Sequence, residues 1–275
     1  MASASIRPAA VAGFFYPADP RILQAQIAEM LTSAVPLEVV SEPKALIVPH
    51  AGYVYSGSVA AAAYRSLAAM REQVRRVVLI GPAHRAAVEG LALPVAQAFS
   101  TPLGTVCVDR HAWQELRARP DVLLDDRPHE LEHCLEVQLP FLQTMLDSFT
   151  ILPLLAGHAS AAQVAATLES LWGGPETLIV VSSDLSHYHT YEQARVGDRS
   201  TVDHILRLRP VLDSQQACGA TPINGLLQVA SRHGLEPHLL DLRNSGDTAG
   251  DRARVVGYAS IAFTESHHDA TSARH

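Results

Sequence analysis

Short unbroken apolar runs recur along the chain, each leading into a polar loop and then a helical repeat. This pattern predicts buried strands alternating with helices. Ala45-Leu46-Ile47-Val48 is the first such run, and it enters Pro49-His50-Ala51-Gly52-Tyr53-Val54-Tyr55-Ser56-Gly57. Gly52 and Gly57 read as turn residues. Ser58 then reads as the start of a helix through Ala60, Ala61, Tyr64, Leu67 and Ala68. Arg76-Val77-Val78-Leu79-Ile80 repeats the construction and runs into Gly81-Pro82-Ala83-His84. Thr177-Leu178-Ile179-Val180-Val181 repeats it again and runs into Ser182-Ser183-Asp184-Leu185-Ser186-His187. Ligands of open α/β sheets bind beyond the carboxyl ends of the strands. Three such strands lying parallel would therefore bring His50, His84, Asp184 and His187 to one crevice.

The remaining pattern fills out an α/β domain. Ile22, Leu23, Ile27 and Leu31 form the apolar stripe of a helix over residues 20–33. Residues 90–94 and 105–109 read as strands, with a turn over 99–104 between them, and a short helix covers 112–118. Leu135, Leu139, Leu142 and Leu146 predict a helix over 131–147, kinked at Pro140. Further strands are expected at 149–155, 237–242 and 254–263, and further helices at 161–172 and 191–208. Another helix is expected to open at Thr221 as N-cap with Pro222 in its first position. The N-terminal segment around Phe14, Phe15, Tyr16 and Pro17 is unusually aromatic and is expected to pack near the functional edge or on a sheet face. No repeat or long linker interrupts the alternation. One domain over residues 5–264 is expected, with a central mostly parallel or mixed sheet flanked by helices and a polar tail from 265 to 275.

Composition narrows the function. The chain has 275 residues and a formal net charge of −7, with no basic block, which argues against a nucleic-acid partner. No apolar run approaches the roughly 20 residues needed to span a bilayer, and no signal-peptide pattern opens the chain. A soluble, cytoplasmic protein without a membrane partner is the expectation. Cys107, Cys134 and Cys218 are few and widely spaced, so neither a zinc ribbon nor a disulfide framework is indicated. Histidine, at 14 residues, is abundant.

Two imidazoles with one anionic donor form a common catalytic metal shell. His50 and His84, at matched strand ends, are the imidazoles of choice. The anion is open between Cys218, ahead of a helix where a thiolate is favoured, and Asp184, with Glu132 a third candidate. His187 then suits a general acid or base, oriented by Asp184. Tyr53, Tyr55 and Tyr188 are either hydroxyl donors or packing aromatics. His129-Glu130-Leu131-Glu132-His133 matches the H-E-x-x-H pattern, but Pro128 places His129 in a loop or first turn and the other protease elements are missing. A zinc protease is therefore disfavoured, and His133 with Glu132 and Glu136 is read as crevice lining.

These motifs in order, with Val11-Ala12-Gly13-Phe14-Phe15-Tyr16-Pro17 before them and Cys218-Gly219 and Pro222-Ile223 after them, resemble the Memo family. Its bacterial and archaeal members are called AmmeMemoRadiSam system protein B. The resemblance implies a fold like the class III extradiol dioxygenases, which are non-haem iron enzymes. It matches His50 and His84 to the two metal histidines, Cys218 to the third ligand and His187 to the acid/base histidine. A Cys where the dioxygenases have Glu leaves Fe(2+) foremost but admits copper or zinc. It also implies a pathway shared with AMMECR-type and radical-enzyme proteins. The expected activity is an iron-dependent, dioxygenase-like oxidation of a small substrate. A non-catalytic module binding metal or peptide, or a zinc-dependent hydrolase, are the alternatives.

Overall fold

The three apolar runs lie side by side as parallel strands. In the computed structural model, which describes residues 5–34 and 42–265, the strands are β1 (Ile6–Arg7), β2 (Ala45–Val48), β3 (Arg76–Pro82), β4 (Leu91–Leu93), β5 (Ala98–Thr101), β6 (Gly104–Cys107), β7 (Val122–Leu124), β8 (Thr150–Ala156), β9 (Thr177–Ser182), β10 (His187–His189), β11 (Leu235–Asn244) and β12 (Val255–Glu265). The main sheet runs β10-β12-β2-β9-β3-β8-β4-β7, with β11 on β12; β1, β5 and β6 form a small second sheet. β2, β9, β3 and β8 are mutually parallel, while β12 and β4 join antiparallel at either side. The sheet is therefore mixed, with helices on it, in a single α/β domain.

Register decides what the sheet edge presents. Val48 pairs with Ser182 and Ile80 with Val181, so the three strands end level. Every residue of β2 and β9 is buried. Each Val, Ile or Leu so placed contributes roughly 1.5–3 kcal/mol of burial. At the opposite end, the buried Lys44 donates to the carbonyls of Trp172, Gly174 and Thr177 at 2.5, 2.8 and 2.9 Å. That ties the turn before β9 to the start of β2.

Four expectations need correction. The helix after His50 is Tyr53–Arg65, starting at Gly52 rather than Ser58. Gly57 lies inside it, with the Met30 side chain of the helix Pro20–Ser33 packed against its open face. The glycine serves close helix packing rather than a turn. The long kinked helix over 131–147 is instead Arg127–Glu130, a 3₁₀ turn Glu136–Gln138, and Leu139–Met145. Glu132 breaks it, since its carboxylate captures the N–H groups of His133 and Cys134 at 3.0 and 3.1 Å. Pro140 falls in the first turn of the third piece, where no kink arises. The last long helix is Ala220–Arg232 with Gly219 at its cap, so Thr221 and Pro222 are already inside it. Finally, Ala98–Thr101 is a strand paired with Gly104–Cys107, which shortens the expected turn. Glu265 ends β12, and the rest of the expected tail lies outside the described residues.

Candidate metal centre

His50 leaves β2 at the level edge and is buried to 2 % exposure. Its backbone N–H donates to Asp184 Oδ1 at 2.7 Å, so the loop after β9 fixes the loop after β2. Its Nδ1 lies 2.9 Å from Ser182 Oγ. That hydroxyl donates its proton to the Cys134 carbonyl at 2.7 Å and accepts from Gln138 Nε2 at 2.9 Å. With its proton so committed, Ser182 accepts from His50 Nδ1–H. The imidazole is therefore the Nδ1–H tautomer, and its Nε2 lone pair faces the Cys218 thiol. Burial pushes the His50 pKa down to about 4; nearby His133 and His84 add to this and Asp184 opposes it. His50 is neutral at pH 7.

His84 follows β3. Glu132 Oε2 accepts its backbone N–H at 2.7 Å, and Oε1 lies 2.9 Å from its Nδ1. A carboxylate on Nδ1 fixes the ring and leaves Nε2 free. Glu132 is 2 % exposed. Burial works to raise its pKa, but its contacts with His133 and His84 prevail and hold it far below the usual carboxylate range. The same Oε1 lies 3.1 Å from the buried His133 Nδ1, a close contact whose angle falls short of a hydrogen bond. The ring centroids of His50, His84 and His133 are 4.9–5.4 Å apart. One nitrogen from each lies within 4.8 Å of the others. Phe15 packs on His133 at 4.7 Å, and its carbonyl accepts Tyr53 N–H at 2.7 Å. The aromatic N-terminal segment thus meets the functional edge, as its composition predicts.

Cys218 Sγ lies 3.3 Å from His50 Nε2. Its position depends on Gly219: the Gly219 N–H donates to Ser183 Oγ at 2.9 Å, and a Cβ at 219 would come within 2.6 Å of Ser183 Cβ. Burial and then the Asp184 charge push the thiol up to about 12, outweighing its contacts with Asp184, Ser183 and Gly219 backbone and side-chain groups. Without a cation beside it, the thiol keeps its proton, and the helix end alone does not make it a thiolate.

The structure thus gathers His50, His84, Asp184, Cys218, Glu132 and His133 at one edge. His187 begins β10, half-buried, with its ring against Tyr188 at 5.8 Å, and joins none of the imidazole contacts. Tyr188 holds a left-handed φ of +62° where the pairing with β12 shifts. Tyr53 takes its packing alternative: its hydroxyl donates to the Val137 carbonyl at 2.7 Å and its ring meets Phe141. Tyr55 is 41 % exposed. His129 points away from the crevice, with Nε2 3.2 Å from the Ala92 carbonyl, so the H-E-x-x-H pattern does not form a two-histidine face. The orienting roles of Ser182 and Gln138 are not legible in the sequence. Gln138 links Tyr64 and the Pro49 carbonyl to Ser182, and no motif marks such a role.

A family model described as Memo-like protein matches residues 7–262. A curated MEMO1 family protein of Sulfolobus acidocaldarius is 34 % identical over 282 residues, covering 94 % of this chain and 99 % of that protein. Those of Aquifex aeolicus and Methanosarcina acetivorans are 34 % and 36 % identical over 270 and 274 residues, with 99 % and 98 % of their lengths covered. Among the described residues, no helix is long and apolar enough to cross a membrane.

Proposed function

The chain belongs to the Memo-like protein family, and from that premise we propose that its crevice holds one redox-active divalent metal, ferrous iron first, and carries out a dioxygenase-type oxidation of a small substrate. His50, His84 and Cys218 are the proposed ligands. The observation that carries the reading is the matched preparation of two imidazoles. Ser182 engages Nδ1 of His50 and Glu132 engages Nδ1 of His84, each leaving Nε2 as the donor atom for a metal, with Cys218 Sγ already beside that of His50. The His133 imidazole beside them, with one nitrogen within 4.8 Å of theirs, also fits a cation. Iron held by these residues would supply one-electron chemistry toward oxygen and a small substrate.

The chain's own residues do the rest. Asp184 fixes the His50 loop through its backbone N–H. Glu132 supplies a buried negative charge that offsets the cation. Phe15 covers one face of His133 and limits water there. His187 is the proposed proton carrier. To serve as a ligand Cys218 would give up its proton to solvent, because the thiolate is the ligand form.

A second reading draws on the three imidazoles themselves. Three histidines with an open position suit zinc and a metal-assisted hydrolase. In that arrangement His133, not Cys218, is the third ligand. Metal analysis of protein purified anaerobically separates the two. Near-stoichiometric iron, lost in Cys218→Ser and kept in His133→Ala, supports the oxidoreductase. Zinc lost in His133→Ala and kept in Cys218→Ser supports the hydrolase. No binding of iron, copper or zinc ends both, and leaves a peptide-binding module.

A further inference from the structure

We infer that Arg7 is a positioning residue of the metal centre, setting Glu132 and His133 from the far end of the chain. The inference rests on the proposed metal site for its functional meaning, while its geometry is independent of that reading.

Arg7 is 5 % exposed and Glu136 is fully buried. The guanidinium uses three of its donors on one short segment. Nε donates to the His129 carbonyl at 2.8 Å, Nη2 donates to the Glu132 carbonyl at 2.6 Å, and Nη1 pairs with Glu136 Oε2. Those acceptors bracket the broken helix that carries Glu132 and His133. Glu136 is in turn enclosed by the N-terminal segment: Ala10 and Val11 donate backbone N–H groups at 2.8 and 3.0 Å, and Tyr16 donates its hydroxyl at 2.5 Å. Its two oxygens thus accept four bonds, all from residues 7–16.

The segment over 129–136 has no continuous helix to hold it. Its internal ladder is interrupted where the Glu132 carboxylate takes the N–H groups of its neighbours. From outside, the Arg7 fork fixes its backbone at His129 and Glu132, the two carbonyls around the break, while Ser182 Oγ holds the Cys134 carbonyl beyond it. Glu132 then places the His84 ring, and the next residue supplies the third imidazole. A planar fork spanning three acceptors is a task Lys cannot perform, though Lys keeps the charge opposite Glu136. Other buried cations lack this reach: Lys44 binds only the turn at the opposite end of the sheet.

The test compares imidazole ¹⁵N spectra of metal-free wild type and Arg7→Lys, followed by zinc titration of both. The ring signals of His84 and His133 should move, while those of His233, stacked on Trp172 at a distant helix end, should not. Zinc affinity should fall about tenfold, the lower end of the range for residues that orient metal ligands. A folded Arg7→Lys with unmoved His84 and His133 signals overturns the inference, whatever its metal affinity. Should Arg7→Lys not fold, Tyr16→Phe removes one bond to Glu136 and keeps the fork. It should move the same two rings by less, and unmoved rings there also overturn the inference. If wild type binds no zinc, iron or copper while the rings still shift in the variant, Arg7 keeps its positioning role and the proposed function fails.

Discussion

Ser182 Oγ accepts a hydrogen bond from His50 Nδ1 across 2.9 Å, and its own proton goes to the Cys134 carbonyl. One hydroxyl at the end of β9 thus selects the tautomer of a ring at the end of β2. Ser182→Ala removes the acceptor and also leaves the Cys134 carbonyl and Gln138 amide without that partner. Unmaking such a buried bond costs about 1–3 kcal/mol. Metal affinity should fall by roughly 10-fold or more, as for other groups behind a metal-bound imidazole. Isothermal titration of the metal-free variant checks this; an affinity within a factor of two of wild type would mean that Ser182 does not set the ring.

Gly219 touches Ser183 so closely that no side chain fits. In Gly219→Ala the new Cβ would lie 2.6 Å from Ser183 Cβ and 3.1 Å from the Ser182 carbonyl, neither of which is the end of a flexible chain. Overpacking of this kind costs about 1–3 kcal/mol. The strain is relieved by moving the turn that carries Cys218, which opens the 3.3 Å contact with His50. Cobalt(II) bound to wild type should show an intense thiolate-to-metal absorption that weakens in the variant. Equal absorption in a stable variant would mean that Cys218 does not depend on this contact.

Much of this arrangement was legible in the chain. The parallel strands and their level ends follow from three apolar runs of similar form, and His50, His84 and Asp184 follow from those ends. What was not legible depends on approach between distant segments. Gly57 has the sequence context of a turn glycine, yet it is a helix-packing glycine because Met30 lies against it. The leucine spacing over 135–146 is helical, but the Glu132 carboxylate competes for backbone donors and breaks the helix. His133 was expected only as lining, since its place as a third imidazole arises from that break. Ser182 and Gln138 carry no signature, because a hydroxyl or amide becomes an orienting group only through its partners.

His187 tests the division between holding a metal and moving a proton. It begins the short β10 beside the strained Tyr188, and its ring contact is with Tyr188 rather than with the three imidazoles. His187→Ala should retain the wild-type metal content. Oxygen uptake with a substrate found for the wild type should fall by about 100-fold or more, the usual scale of acid–base catalysis. Loss of metal in the folded variant would make His187 a ligand instead.

His129 gives a prediction about pH that does not involve the metal. It is 1 % exposed, with Nε2 3.2 Å from the Ala92 carbonyl and Nδ1 without a partner. Burial, reinforced by the Arg7 charge, pushes its pKa down to about 4 from 6.5. Between these values the unfolded chain binds a proton that the folded chain does not. His129 therefore favours folding fully above pH 6.5, and that contribution is lost as pH falls toward 4. Within the window its share of the slope approaches about 1.4 kcal/mol per pH unit. His50, also lowered to about 4, acts in the same direction, so acid should destabilise the metal-free protein steeply. His129→Gln keeps a donor for the Ala92 carbonyl but cannot titrate. Urea unfolding at pH 7 and pH 5 should show a smaller loss of stability in this variant than in wild type. An equal loss would mean that His129 takes up its proton in the folded state.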